Sequence, residues 1–279
     1  MDNFNDRKII PIVFACSNTF IKILAVAIQS IREHSSPEYY YDIYVLYNSN
    51  TYFDLGKAYR IYGILKKNMG LHFIDIKDNI NHSIFRGYAH VSEETCYRLL
   101  IPEVITQYEK VIYLDCDLVV LRDLKELFET DISTYAFAAV KEELNIYQKE
   151  YVQTRLGVPA DEYINAGIML INMELFRSKR LKENYIAAIR ERKHYRYPEQ
   201  DVLNQGCRGQ ILFLDVKWNI RWYLPKDQKY DMAVVHYASR IKPWNKVGIL
   251  YENYFWIYAR KSLFYREILN EREEALHQS

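Results

Sequence analysis

Two aspartates that directly follow an apolar run are the residues best suited to chemistry. Asp115 and Asp117 come after residues 111–114 and are separated by one residue. In an extended chain, residues i and i+2 point to the same face, so both carboxylates can reach one cation. Ligands of open α/β sheets bind just beyond the carboxyl ends of the strands. Because two unpaired carboxylates there would repel each other, the spacing predicts a divalent metal site.

A histidine and a lysine much later in the chain could complete that site. His236 ends a second apolar run, and Lys242 lies six residues further on. The imidazole could join the two carboxylates on the metal, and the ammonium could meet a phosphate that the metal holds. A histidine ligand favours Mn²⁺, since Mg²⁺ prefers oxygen ligands. The expected ion is therefore Mn²⁺, with Mg²⁺ as a substitute.

Two further short segments place polar groups at the ends of predicted elements. Residues 165–167 precede a strand, and the glycine among them allows a ligand to approach the backbone closely. Residues 199–201 begin a helix, where acidic side chains commonly complement the helix dipole. The motifs GxGxxG, GxxxxGK[ST] and HExxH are absent from the sequence. Dinucleotide-dependent oxidoreductases, P-loop enzymes and zincins therefore have no support.

The two aspartates also fit a second chemistry. In phosphatases of the haloacid dehalogenase type, an Asp-x-Asp pair after a strand supplies a nucleophile, here Asp115, and an acid/base, here Asp117. That pair normally lies near the start of its domain, whereas more than a hundred residues precede it in this chain. The phosphatase is thus the weaker alternative, but the residues alone leave it open.

The elements that must position these residues alternate along the chain. Apolar runs predict strands at residues 9–15, 42–47, 71–76, 111–114, 136–140, 168–172, 211–214 and 233–236. Helical spacing and caps predict helices at residues 20–31, 51–67, 92–102, 181–194 and 199–204, with a capping box at 123–126. This order predicts an α/β protein with a mainly parallel sheet that is covered by helices on both faces.

Composition excludes several other classes of protein. The 279 residues carry a net charge of +1 and are 49% hydrophobic, which fits a folded core and not a nucleic-acid surface. The four cysteines lack CxxC spacing, so neither a zinc ribbon nor a disulfide framework is expected, and reduced thiols favour the cytoplasm. Since no apolar run reaches about 18 residues, no transmembrane segment is predicted. The aromatic residues at 251–265 fit a packed helical cap, or else a peripheral anchor at the inner face of the membrane.

Taken in chain order, these motifs resemble those of the family 8 retaining glycosyltransferases. This family includes bacterial lipopolysaccharide α-galactosyl- and α-glucosyltransferases and, more distantly, glycogenin. The resemblance covers about residues 9–244. The matching residues are Ile12-Val13-Phe14-Ala15, Arg98, Tyr113-Leu114-Asp115-Cys116-Asp117, Asn165-Ala166-Gly167, Glu199-Gln200-Asp201, His236 and Lys242-Pro243-Trp244.

The resemblance implies a Rossmann-like GT-A fold in a single domain over residues 1–279. A nucleotide-binding half would occupy residues 9–120, an acceptor-side half 121–250, and a helical segment 251–279. The implied reaction transfers galactose or glucose from a UDP-sugar to lipopolysaccharide or another bacterial surface saccharide, with retention of configuration. The partners would thus be a UDP-sugar donor and a saccharide acceptor.

The resemblance also implies roles for individual residues. The implied metal ligands are Asp115, Asp117 and His236. The implied donor-binding residues are Ala15, Ser17, Thr19, Arg98, Asp115, Asn165, Ala166, Gly167 and Lys242. The catalytic candidates are Glu199, Gln200 and Asp201, and the acceptor-side candidates are His90, Lys141 and Tyr197.

Three departures from the family pattern qualify these expectations. Ser17 stands where relatives often carry an acid that recognises uracil, so a sugar-nucleotide-binding module without turnover is a further alternative. Lys141 and Pro198 stand where lactose-using relatives carry Asp and Gln, so lactose is not expected as acceptor. No nucleophile is assigned, because Gln200 is an amide and attack from the leaving-group face is equally allowed.

Overall fold

Four parallel strands form from the apolar runs of the first half of the chain. The computed structural model describes residues 7–80, 92–191, 193–224 and 229–277. The four strands are β1 (Lys8–Ala15), β2 (Tyr39–Tyr47), β3 (Met69–Asp75) and β4 (Lys110–Leu114). β1 lies between β2 and β4, and β3 pairs with the outer side of β2, all in parallel. Their carboxyl ends therefore meet at one edge of the sheet, as the sequence predicts.

The second half extends this sheet and reverses one strand. It adds β6 (Phe137–Lys141), β7 (Ile164–Asn172) and β8 (Ile211–Phe213), and the order across the described sheet is β3-β2-β1-β4-β7-β6-β8. β7 runs antiparallel to both β4 and β6, while β8 is parallel to β6. The prediction of a mainly parallel sheet is confirmed. The reversal brings the first residues of β7 to the edge where β4 ends.

A smaller sheet stands beside that edge. Its described strands are β5 (Leu118–Val120), β9 (Ile220–Arg221) and β10 (Val234–His236), with β10 in the middle. β10 is antiparallel to β5 and parallel to β9. Because β5 begins just after Asp117, its pairing with β10 ties the two distant candidate segments together.

Helices cover the large sheet and close the C-terminal part of the described chain. They are α1 (Ile21–His34), α2 (Leu55–Tyr59), α3 (Ile101–Val104), α4 (Lys125–Phe128), α5 (Ile146–Tyr151), α6 (Met173–Ser178), α7 (Leu181–Arg190), α8 (Pro198–Gly206), α9 (Glu252–Ala259) and α10 (Tyr265–His277). A short 3₁₀ segment at Arg60–Ile64 follows α2, and another at Glu93–Leu100 precedes α3.

Three of the predicted helix boundaries are wrong. The helix predicted over 51–67 begins only at α2, because Asp54 accepts a hydrogen bond from the backbone of Lys57, 2.9 Å away, and caps it. The helix predicted to stop near Pro102 instead carries that proline in the first turn of α3, where no backbone donor is required. The capping box predicted at 123–126 is absent, because the N-cap of α4 is Leu124, and Asp123 accepts from the backbone of Lys125, 2.9 Å away, and from the Tyr41 hydroxyl.

The aromatic C-terminal segment is part of the core. Phe255, Trp256, Tyr258 and Phe264 are all at most 8% exposed. The Phe255 ring packs edge-on against Tyr237, with centroids 6.0 Å apart. The predicted helical cap is confirmed, and four of the seven aromatic side chains at 251–265 are buried. Within the described ranges, every helix is too short or too polar to cross a bilayer.

Candidate active site

The predicted metal ligands come together between the two sheets. In the β5–β10 ladder His236 is opposite Leu118, and Tyr237 donates a backbone hydrogen bond of 2.8 Å to Asp117. The His236 Nε2 lies 3.3 Å from Asp117 Oδ1 and 3.7 Å from Asp115 Oδ2. One ligand atom from each of the three residues falls within 4.8 Å of the others. Strand pairing therefore joins residues that are over a hundred positions apart in the chain.

The donor atoms of these three side chains suit a divalent cation. Two carboxylates and one imidazole are a common donor set for such ions. A Cβ on Gly167 would lie 2.7 Å from Asp115 Oδ2 and 2.9 Å from His236 Nδ1, closer than real Cβ contacts. Glycine is thus required here by lack of space, and it lets both ligands pack against the backbone of β7.

Two donors fix the Oδ1 atom of Asp115, the oxygen that is not directed at His236. The Tyr113 hydroxyl donates to Oδ1 at 2.7 Å, and Arg98 Nη2 donates to the same atom at 3.0 Å. Arg98 is 3% exposed and also donates to the carbonyls of Ala166 (2.6 Å) and Thr95 (2.7 Å). Arg98 was predicted to surround a donor sugar, and the structure places its guanidinium against Asp115 and the start of β7.

Asp117 is held by Lys242. The ammonium of Lys242 contacts Asp117 Oδ2 and donates to the Tyr237 carbonyl at 2.6 Å. Burial alone would raise the pKa of Asp117, but the charge of Lys242 and the neighbouring His236 outweigh it, and the pKa lies well below its usual value. The predicted phosphate-binding lysine therefore adjoins the predicted metal site.

A first cleft of about 730 Å³ opens over this group. It is lined by the segment that follows β1, by Asp115 and Asp117, by Glu199 and by Lys242. Five residues predicted to bind the donor lie in it, namely Ala15, Ser17, Thr19, Asp115 and Lys242. The hydroxyls of Ser17 and Thr19 are 3.0 Å apart and share a hydrogen bond.

A second cleft of about 800 Å³ adjoins the first. Its walls include Glu142, Asn165, Gln200, Trp222 and Tyr223. Both clefts are lined by Tyr197, Ser239 and Arg240. The two clefts therefore meet, which is the arrangement needed to pass a group from one bound molecule to another.

Gln200 has a fixed orientation at the start of α8. Its Oε1 accepts from the Ala166 backbone at 3.0 Å, and its Nε2 donates to the Tyr163 hydroxyl at 3.2 Å. That hydroxyl in turn donates to Asp201 Oδ1 at 2.5 Å. Asp201 is wholly buried, and its Oδ2 accepts from Tyr151 at 2.6 Å. The structure therefore places the catalytic candidate Asp201 in the core, where it orients Gln200 through Tyr163.

Glu199 is a buried acid with one free oxygen. It is 8% exposed and lines the first cleft, and its Oε2 has no hydrogen-bond partner in the described structure. Burial raises the pKa of Glu199, while the positive charge of Arg98 opposes that rise. Among the three catalytic candidates, Glu199 is thus the acid that faces the first cleft.

The acceptor-side candidates are distributed differently. Tyr197 lies at the junction of the clefts, whereas the ammonium of Lys141 packs over the Phe213 ring, 4.3 Å from its centroid. His90 lies outside the described residues. Sequence reasoning did not assign Trp222 or Tyr223 to the site, although two adjacent aromatics after a short strand were a signal that could have been used.

The comparisons with known proteins identify the family. The family model described as glycosyl transferase family 8 matches residues 11–248. General stress protein A of Bacillus subtilis (strain 168) is 27% identical over 201 residues, which are 65% of this chain and 69% of that protein. Lipopolysaccharide 1,2-glucosyltransferase of Escherichia coli (strain K12) is 23% identical over 226 residues, 66% of each chain.

The likeness extends to solved structures. The galactosyltransferase LgtC in complex with donor and acceptor sugar analogues superposes with a TM-score of 0.77 and 24% identity, covering 93% of this chain and all of LgtC. The fold is therefore the GT-A fold. The chain belongs to glycosyl transferase family 8. It is a glycosyltransferase, and the phosphatase alternative, which assigned Asp115 as a nucleophile, gives way to that assignment.

Proposed function

We propose that this protein transfers galactose or glucose from a UDP-sugar to a saccharide acceptor, with a divalent metal ion, Mn²⁺ before Mg²⁺. The observation that carries the proposal is the group of Asp115, Asp117, His236 and Lys242 at one end of the first cleft, next to the junction with the second. Three ligands and one ammonium suit a diphosphate, whose charge needs both a cation and a hydrogen-bond donor.

The metal-binding residues would supply most of the charge stabilisation. When bound, a divalent ion at these residues stabilises the negative charge that develops on the diphosphate as the sugar leaves. Tyr113 and Arg98 hold Asp115 in place for that ion. Lys242 is already beside Asp117, so its ammonium would donate hydrogen bonds to a phosphate bound next to Asp117.

The residues of the first cleft, together with Asn165 and Gln200 of the adjoining second cleft, would bind the rest of the donor. Ala15, Ser17 and Thr19 would contact the nucleoside, and Asn165, Ala166 and Gly167 would lie beside the sugar. Ser17 offers a hydroxyl for uracil recognition but no charge. Glu199, which lines the first cleft, would hydrogen-bond to a hydroxyl of the sugar. Gln200, whose orientation Tyr163 and the Ala166 backbone fix, would lie beside the reacting carbon without acting as a strong nucleophile.

The second cleft would bind the acceptor. The faces of Trp222, Tyr223 and Tyr197 offer apolar surface with polar edges, which suits the rings of saccharides. The relative from E. coli is named for lipopolysaccharide, and this name supports a bacterial surface saccharide as the acceptor class. We further propose that the reaction takes place in the cytoplasm, with contact at the inner face of the membrane.

A panel of nucleotide-sugars tests the proposal. The purified protein, with Mn²⁺ and without acceptor, should release UDP slowly from UDP-galactose or UDP-glucose, and release nothing comparable from GDP- or ADP-sugars. Release that needs a different nucleotide would contradict the donor assignment. Tight binding of the UDP-sugar without release of UDP, even when lipopolysaccharide fragments are added, would show that the protein is a non-catalytic binding module.

A further inference from the structure

A buried chain of side-chain hydrogen bonds joins His236 to the second cleft. His236 Nδ1 is 3.0 Å from Asn219 Oδ1. Asn219 Nδ2 is 2.9 Å from Asn165 Oδ1. Asn165 Nδ2 is 2.7 Å from Glu142 Oε2 in the wall of the second cleft. Asn219 is fully buried, and His236 is 2% and Asn165 7% exposed, so these polar atoms depend on one another and not on bulk water.

The orientation of Asn165 is fixed by two groups of known polarity. An ionised carboxylate only accepts hydrogen bonds, so Asn165 must turn its NH₂ toward Glu142. A backbone N–H only donates, and the N–H of Gly167 is 3.0 Å from Asn165 Oδ1. Both neighbours require the same arrangement, with the amide oxygen of Asn165 directed away from Glu142.

This orientation passes along the chain to the histidine ring. Since Asn165 presents its oxygen, Asn219 must present its NH₂ there, and the Asn219 oxygen then faces His236. Only a protonated Nδ1 can bond to that oxygen. The lone pair of the neutral ring is therefore on Nε2, the nitrogen that lies 3.3 Å from Asp117 and 3.7 Å from Asp115.

We infer that Asn219 is a positioning residue that fixes the tautomer of His236, with its own orientation imposed by Asn165 and by Glu142 of the second cleft. The inference deepens the proposed function, because it rests on the metal site proposed there. Metal-binding imidazoles donate their other N–H to a neighbouring acceptor, and removing that acceptor costs about 10–100-fold in metal affinity. Asn219 supplies that acceptor here.

Calorimetric titration of Mn²⁺ into variants of the full chain tests this role. Asn219→Leu removes the acceptor at similar volume and should weaken Mn²⁺ binding by about 10–100-fold. Asn219→Asp keeps an acceptor for Nδ1 but loses the donor to Asn165, so its Mn²⁺ affinity should fall between those of wild type and Asn219→Leu. The matched control is Asn68→Ala, which removes a buried amide that donates to the Ser36 and Tyr39 carbonyls near the start of β2. That variant should lose stability but keep the wild-type Mn²⁺ affinity.

Nitrogen-15 NMR of the histidine rings gives a readout that does not need the metal. In metal-free wild-type protein, at a pH above which the His236 ring signals no longer change, His236 should carry its proton on Nδ1, and Asn219→Leu should show a mixture of tautomers. A neutral wild-type His236 ring that carries its proton on Nε2 alone overturns the inference without any variant. So does an Asn219→Leu protein with unchanged tautomer and Mn²⁺ affinity within about twofold of wild type. Failure of the wild type to bind Mn²⁺, with the expected tautomer present, would instead contradict the proposed metal site.

Discussion

Glu199 and Gln200 are neighbours in the chain, but their side chains line different clefts. Glu199 belongs to the first cleft, which holds the metal-ligand group, and Gln200 belongs to the second. The start of α8 therefore separates the two clefts at the point where they meet. Two successive residues of one helical turn can therefore face the two reactants of a transfer. We expect substitutions of Glu199 and of Gln200 to have different effects.

Replacement of Glu199 should make the metal-free protein more stable at neutral pH. Burial raises the pKa of Glu199, so the folded state holds that proton more tightly than the unfolded state. The free energy of unfolding should therefore fall as pH rises above the ordinary glutamate pKa of about 4.3. Glu199→Gln removes this loss and should have the higher melting temperature at pH 7 and 8, with a difference that shrinks toward pH 4.

Thermal unfolding in the presence of chelator across that pH range measures this difference. The matched control is Glu143→Gln, at an exposed position beside the second cleft. It should follow the wild type at every pH. A Glu199→Gln protein that is less stable than wild type at pH 8 would show that the ionised carboxylate stabilises the fold.

Introduction of an acid at Ser17 should sharpen the choice of nucleotide. A charged acceptor in the first cleft would replace a neutral hydroxyl, and a charge-assisted hydrogen bond adds about 1.5 kcal/mol, or roughly tenfold in affinity. Ser17→Asp should bind UDP about tenfold more tightly than wild type, with GDP and ADP unchanged. Ser17→Asn is the uncharged control. Equal binding of UDP by wild type, Ser17→Asp and Ser17→Asn would place the base elsewhere.

A methyl group at Gly167 should disable the metal site. Its Cβ would overlap His236 and Asp115, so one of these ligands must move. Gly167→Ala should weaken Mn²⁺ binding at least tenfold and cost about 1–3 kcal/mol of stability, as for other overpacked positions. Gly63→Ala is the control, because its Cβ would make only an ordinary contact of 3.7 Å with Leu263. Unchanged Mn²⁺ affinity in Gly167→Ala would mean that the ion does not bind between these ligands.

Loss of an aromatic wall should affect the acceptor and spare the donor. Trp222 lines the second cleft, and its Nε1 donates to Ser239 at 3.0 Å. Trp222→Ala should raise the acceptor KM about tenfold, while UDP release without acceptor stays near the wild-type rate. Trp222→Phe keeps an aromatic face, so its acceptor KM should lie between those of wild type and Trp222→Ala. An equal loss of both activities in Trp222→Ala would contradict separate clefts.

The sequence predicts the grouping of Asp115, Asp117 and His236 because each lies at the end of an apolar run. That all three meet depends on the pairing of β5 with β10, which joins their strand ends across the two sheets. The antiparallel course of β7 carries no such signal, because a buried strand is apolar in either direction. It decides that Asn165 and Gly167 lie beside Asp115.

Other parts of the site depend on contacts that no spacing reveals. Asn219 looks like an ordinary loop residue in the sequence, and only the meeting of β9, β7 and β10 makes it the partner of His236. Asp201 has the chemistry of a nucleophile, but Tyr151 and Tyr163, which lie far from it in the chain, occupy its oxygens. Such long-range hydrogen bonds decide whether an acid is catalytic or structural.

The most direct test of the proposed mechanism is UDP release from the preferred UDP-sugar as a function of Mn²⁺ concentration, in wild type, Asp117→Asn and His236→Ala. Asp161→Asn, at an exposed position, controls for loss of an aspartate. Since one electrostatic contact in such a site is worth about 10²–10³ in rate, both site variants should fold, lose at least about a hundredfold in UDP release and require more Mn²⁺. Chelator should abolish release by the wild type and by Asp161→Asn, and added Mn²⁺ should restore it. Near-normal, chelator-insensitive release by Asp117→Asn and His236→Ala would contradict the metal site and the mechanism proposed from it.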